Sequence, residues 1–230
     1  MAAYDLEEQE QLAELKAWWK QNGNLLTGVV VAASIGVLAW QGWNWYERNQ
    51  AAQASGVYSV LQRAALERDT QKTKTAAGEL IEKFGRTAYA PLGALVAAKA
   101  LYEAGDVKSA KAQLAWVAEN GKDELKDIGR LRLAAVLLDD KAYDEALKVL
   151  AASHGTGFDA RYAELKGDVL TAQGKKPEAA TAYKAALAKL DESAKDGKGA
   201  KDANSMQSRE ANAPYREMLQ QKLDSLGDAK

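Results

Sequence analysis

Cysteine is absent from the 230 residues, which excludes disulfides, thiolate-held zinc, iron–sulfur ligation and cysteine nucleophiles together. Histidine occurs once, at His154, so multi-histidine metal sites are excluded and a Ser-His-Asp relay has only that residue to use. Three prolines leave little to interrupt a backbone rich in Ala, Leu, Lys and Glu, and an all-α fold is expected. Neither sign of charge prevails: 31 basic residues face 32 acidic ones, leaving no general footprint for nucleic acid. The missing cysteine fits a reducing cytosol and equally a periplasmic protein that needs no staples. Phenylalanine is scarce too, two against six tryptophans, and five of those tryptophans (18, 19, 40, 43 and 45) fall in the first 45 positions. The mean hydropathy of −0.40 is that of a soluble chain, so the question is what those five residues surround.

They surround a membrane-length segment. From Gln21 to Tyr46 no residue is charged, and Leu25–Tyr46 gives 22 largely apolar positions. Trp18 and Trp19 stand at one end, with Trp40, Trp43, Trp45 and Tyr46 at the other, as interfacial aromatic belts do. The 21 steps from Trp19 to Trp40, at ~1.5 Å each, span roughly 31 Å, about the hydrocarbon thickness. A buried core helix has no reason to keep its tryptophans at its ends. Val37-Leu38-Ala39 imitates a signal-peptide cleavage site, but the preceding 1–20 tail is acidic (Asp5, Glu7, Glu8, Glu10, Glu14), the reverse of a basic n-region. A transmembrane helix over 21–46 is therefore expected to remain as an anchor. Lys16 and Lys20 on one side balance Arg48 and Arg63 on the other, so charge does not orient it. Gly28, Ala32 and Gly36 share a helical face where a second membrane helix could approach closely, although small residues are common in such helices.

The remainder repeats. Aligned on Ala110, Ala146 and Ala179, three stretches recur at spacings of 36 and 33, bracketing the 34 of a tetratricopeptide repeat. Twelve positions earlier stand Ala98, Ala134 and Gly167, where paired helices cross. Nine earlier stand Leu101, Leu137 and Leu170, and four later Leu114, Leu150 and Tyr183. The turns carry Gly105-Asp106, Asp139-Asp140-Lys141 and Gly174-Lys175. The early aromatic of such a repeat is missing, Ala94, Arg130 and Ala163 standing there instead. A single transmembrane helix followed by a tetratricopeptide-like α-solenoid is expected, with repeats over 47–190. Within it, 47–84 forms a degenerate cap hairpin with a poor match to the pattern. The Lys/Asp/Gly/Ser-rich stretch 191–212 is expected to be a mobile loop, and 213–230 a capping helix starting near Pro214.

Chemistry is harder to find. Gly197-Lys198-Gly199 lacks the spacing of a phosphate loop. His154, beside Ser153 in ASHGTGFD, reads as an exposed loop residue and not part of a relay. No catalytic, cofactor or metal residue is assigned, and the chain is not expected to be an enzyme. The repeats do offer a surface, because the first helices of successive pairs line a concave groove. Its candidate residues are Leu92, Leu95, Lys99 and Tyr102, then Ile128, Leu131 and Leu138, then Arg161 and Glu164; neighbouring helices could equally cover several of them.

The acidic tail ending in Lys16-Ala17-Trp18-Trp19-Lys20-Gln21-Asn22-Gly23, the exit WQGWNWY and the short degenerate repeat domain together resemble the YfgM family, ancillary subunits of the bacterial SecYEG translocon. That resemblance implies a single-pass inner-membrane protein with a cytoplasmic N-terminus and periplasmic repeats. It also implies association with SecYEG, with a PpiD-type periplasmic chaperone and with secreted client polypeptides, as a chaperone-like scaffold during export. A cytosol-facing adaptor that docks a soluble chaperone or signalling protein is the alternative.

Overall fold

The computed structural model describes the backbone of residues 2–195 and 203–227, and the side chains of 10–192 and 212–227. Among these, nine α-helices follow one another and no strand occurs. Two compact units divide the chain, Met1–Gln53 and Ala54–Lys230.

The described residues of the first unit are all helical, as part of α1 (Ala2–Leu66). The composition change at Tyr46 leaves no mark on the backbone. No proline and only Gly56 stand between Tyr46 and Leu66, so nothing there stops helix propagation. The apolar side chains from Leu25 to Leu38 and all five N-terminal tryptophans are exposed, and α1 contains a segment long and apolar enough to cross a membrane. Ser34 returns its hydroxyl proton to the Val30 carbonyl at 2.8 Å, so this polar group is satisfied inside the helix.

The second unit is a stack of hairpins. The end of α1 pairs with α2 (Thr70–Phe84), α3 (Tyr89–Glu103) with α4 (Val107–Asn120), and α5 (Glu124–Asp139) with α6 (Tyr143–Leu150). After a short 3-10 turn at Thr156–Phe158, α7 (Asp159–Ala172) pairs with α8 (Lys176–Lys195), and α9 (Ala203–Ser225) packs on α8. All twelve positions aligned in the repeats are buried, because they sit where paired helices meet. At the last crossing, a side chain on Gly167 would begin 2.5 Å from Cε1 of Tyr183, so the ring lies directly on the glycine.

Each hairpin turns the same way. Arg68, Gly105, Lys141 and Gly174 all take a left-handed conformation, with φ of 57°, 84°, 59° and 77°. After each, a backbone N–H bonds the carbonyl five residues back, as in Asp69 to Ala64 and Asp106 to Leu101. This reveals a fourth unit in register: counting from Arg68, Leu61, Ala64, Thr73 and Ala77 occupy the four repeat positions, and all are buried. The match of 47–84 is therefore better than its sequence suggests. Large and small residues have exchanged places at Leu61 and Ala64, which keeps the packed volume while hiding the pattern. Asp69 and Asp106 cap α2 and α4 by accepting the N–H of Lys72 and of Ser109, at 3.0 and 3.1 Å.

The C-terminal part departs from expectation. Of the stretch read as a loop, residues up to Lys195 continue α8 and those from Ala203 onward belong to α9, while 196–202 lie outside the described residues. Pro214 lies inside α9 and does not begin it, since the Ala-, Glu- and Gln-bearing run before it propagates the helix and the proline removes only one N–H.

Candidate partner groove

Leu92, Leu95 and Lys99 of α3 come together on a cavity of about 630 Å³, closed on one side by Tyr58, Gln62, Ala65 and Leu66 of α1 and on the other by Arg132 of α5. Leu95 is only 6% exposed and forms the floor, whereas Leu92 is 37% exposed and Leu66 86%. These are first helices of successive hairpins, as the concave face of such a solenoid requires. Tyr102 lies further along α3, exposed, and donates its hydroxyl to Asp139 at 2.7 Å; that bond holds the phenol proton and raises its pKa.

The other predicted residues do not join this cavity. Ile128, Leu131 and Leu138 are half-buried against the core of the second and third hairpins, because α5 is flanked on both sides by first helices. Arg161 and Glu164 face α9. The Arg161 guanidinium lies 5.6 Å from the centroid of the Tyr215 ring, and Tyr215 donates to Glu164 at 2.8 Å. Lys222 of α9 bonds Glu164 at 2.6 Å and both oxygens of Asp168 at 2.8 Å. Burial alone would lower the Lys222 pKa, but the hydrogen bonds that its ammonium donates to Asp168 and Glu164 outweigh it and the net shift is upward. Burial, followed by the Glu164 bond, raises the Tyr215 phenol. The groove is thus open toward the first half of the domain and occupied by the protein's own α9 at its end. Gly28, Ala32 and Gly36 are exposed on α1, and a side chain added at Gly28 or Gly36 would meet nothing within 4 Å.

A polar knot between α5 and α7 has no counterpart in the sequence reading. Asp127, 6% exposed, accepts from the Tyr162 hydroxyl at 3.0 Å and the Gly155 N–H at 2.9 Å, with Arg130 at 3.5 Å. Burial, then the Asp127 bond, pushes the Tyr162 phenol up to about 12. His154 is not the exposed loop residue expected. Its ring stacks on Tyr162 with centroids 3.9 Å apart, Nε2 lies 3.2 Å from Asp159, and Nδ1 lies 3.0 Å from the Ala152 carbonyl. Partners 28 and 35 residues apart, one in the α6–α7 connection and one on α7, form no local motif, so only the side-chain types hinted at the knot.

The fold and this groove define a tetratricopeptide-like α-solenoid preceded by a candidate transmembrane helix. A family model described as a tetratricopeptide repeat-like domain matches residues 16–228. A Haemophilus influenzae protein is 34% identical over 80% of this chain and 90% of its own length, and one from Neisseria gonorrhoeae 32% identical over 98% and 100%. An Escherichia coli K12 relative is 29% identical over 78% and 87%. All three are named ancillary SecYEG translocon subunits, and the chain belongs to this family. Family membership and the apolar N-terminal helix together indicate a membrane-anchored protein.

Proposed function

We propose that this protein is a membrane-anchored scaffold at the SecYEG translocon. In this reading its N-terminus is cytoplasmic and its repeat domain periplasmic, where it holds a PpiD-type chaperone and passing client chains near the channel. The observation that carries the reading is a repeat domain with an open apolar groove, lined by Leu66, Leu92 and Leu95, in a chain that also bears a bilayer-length helix. The names of its relatives supply the translocon. Gly28, Ala32 and Gly36 give the anchor a face that a neighbouring membrane helix can approach closely. The assignment is a binding one and not catalytic, with His154 serving to fasten the α6–α7 connection.

An alkaline phosphatase fusion at the C-terminus tests the orientation, because that enzyme is active only in the periplasm. Phosphatase activity is the expected result. An inactive fusion, with a cytosolic reporter active at the same position, would overturn this topology in favour of the cytosol-facing adaptor.

A further inference from the structure

We propose that the Asn120-Gly121 pair, where α4 ends, is a self-modification site at which the asparagine amide is slowly converted to an aspartyl or isoaspartyl link. Two asparagines of the chain precede glycine, Asn22 and Asn120. Their side chains are engaged alike: each amide donates to the carbonyl four residues back, Asn22 to Trp18 at 3.1 Å and Asn120 to Trp116 at 3.0 Å. Their backbones differ. Asn22 lies well inside α1, whereas Asn120 is exposed and is the last residue of α4. Gly121 has already left the helical region, with φ −59° and ψ 147°. Packing keeps glycine there, because a Cβ at 121 would begin 2.6 Å from the Val117 carbonyl oxygen and 2.9 Å from the Lys126 nitrogen.

The reaction needs only water. The Gly121 nitrogen gives up its proton and attacks Cγ of Asn120. The N–Cγ bond forms, the Cγ–Nδ2 bond breaks, and the side-chain nitrogen leaves as ammonia, taking up a proton. Water then opens the succinimide ring at either carbonyl, leaving aspartate, or isoaspartate with the main chain routed through the side chain. Glycine carries no side chain to obstruct the attack. In the folded chain the Gly121 N–H is held by the Val117 carbonyl at 2.8 Å. Freeing it and turning Asn120 takes only the fraying of a helix end, whereas at Asn22 the same turn breaks a continuous helix. Either product puts an acceptor where the Trp116 carbonyl had a donor and adds negative charge at the C-terminus of α4. The α4–α5 junction is thereby loosened.

The test ages the full chain in detergent at physiological temperature and pH, and follows both asparagines by peptide-resolved mass spectrometry, with isoaspartate located by electron-transfer fragmentation. Conversion at Asn120 is expected to be at least about tenfold faster than at Asn22, and faster still as pH rises, because the attacking nitrogen must lose its proton. N120Q, whose longer side chain closes the ring poorly, should stop the conversion at this position. N120D supplies the acid without the isomer and should speed hydrogen exchange in the last turn of α4 roughly fivefold, as for one lost hydrogen bond. An Asn120 amide that survives intact would overturn the proposal, as would equal rates at the two asparagines. Unchanged exchange in N120D would overturn the loosening of the junction.

Discussion

Adding the same methyl group at two helical glycines should shift stability in opposite directions. In Gly167→Ala the new Cβ starts 2.5 Å from Cε1 and 2.6 Å from Cδ1 of Tyr183, so the ring must move by about an ångström to reach ordinary contact. It is poorly placed to move, because its hydroxyl donates to Asp168 at 2.8 Å and lies 3.2 Å from the Thr171 hydroxyl. Both partners stand on the same helix as Gly167. Overpacking of this kind costs roughly 1–3 kcal/mol, and weakening the hydroxyl bonds adds about 1 kcal/mol. The alanine returns about 0.5–1 kcal/mol of helix propensity, leaving a net loss near 2 kcal/mol. At position 78, inside α2, nothing lies within 4 Å of the added atom, so Gly78→Ala keeps only the gain. Thermal unfolding of the full chain in detergent, followed by circular dichroism, should show Gly167→Ala melting roughly 4–8 °C lower and Gly78→Ala about 1–4 °C higher. A neutral or stabilising Gly167→Ala would refute the crossing geometry.

Lys141 holds the left-handed position that glycine fills at 105 and 174, so Lys141→Gly should stabilise by about 0.5–1 kcal/mol in chemical denaturation, and Gly105→Ala should do the reverse. The Lys74 side chain, then the Ser109 backbone N–H, hold the Asp106 carboxyl at about 2, below its unfolded value near 3.9. Its stabilisation is therefore complete above about pH 4 and lost as pH falls toward 2, and Asp106→Asn should flatten that acid limb of the melting curve. Lys222→Ala leaves Glu164 and Asp168 without their cation and should cost about 2 kcal/mol, less than a fully buried pair because the side chain is 30% exposed. Hydrogen exchange should then accelerate in α9 while α3 and α4 keep their protection.

The repeats were legible because Ala110, Ala146 and Ala179 each bring a small residue at one fixed offset and a leucine at another, and close packing enforces those sizes. The α1–α2 hairpin escaped because Leu61 and Ala64 reverse the sizes and Arg68 stands where glycine announces a turn. Composition located the apolar segment but not the extent of its helix, since backbone hydrogen bonding passes Tyr46 without regard to hydropathy. Pro214 misled for a related reason: a good first-turn residue is also tolerated inside a helix that has already formed. For the groove, helical periodicity identified the inward faces of α3 and α5. What covers each face depends on long-range partners, such as α9 on Glu164 and the packed core against Ile128, Leu131 and Leu138. A strong pattern within one hairpin carries no information about its neighbour's reach.

Photo-crosslinking in intact cells from a probe placed at the exposed Leu92, with one at the half-buried Ile128 for comparison, tests the central claim most directly. Capture of translocon subunits, an export chaperone or secreted chains from position 92, and far less from position 128, is the predicted result. Capture of cytosolic proteins alone, or equal capture from both positions, would contradict it.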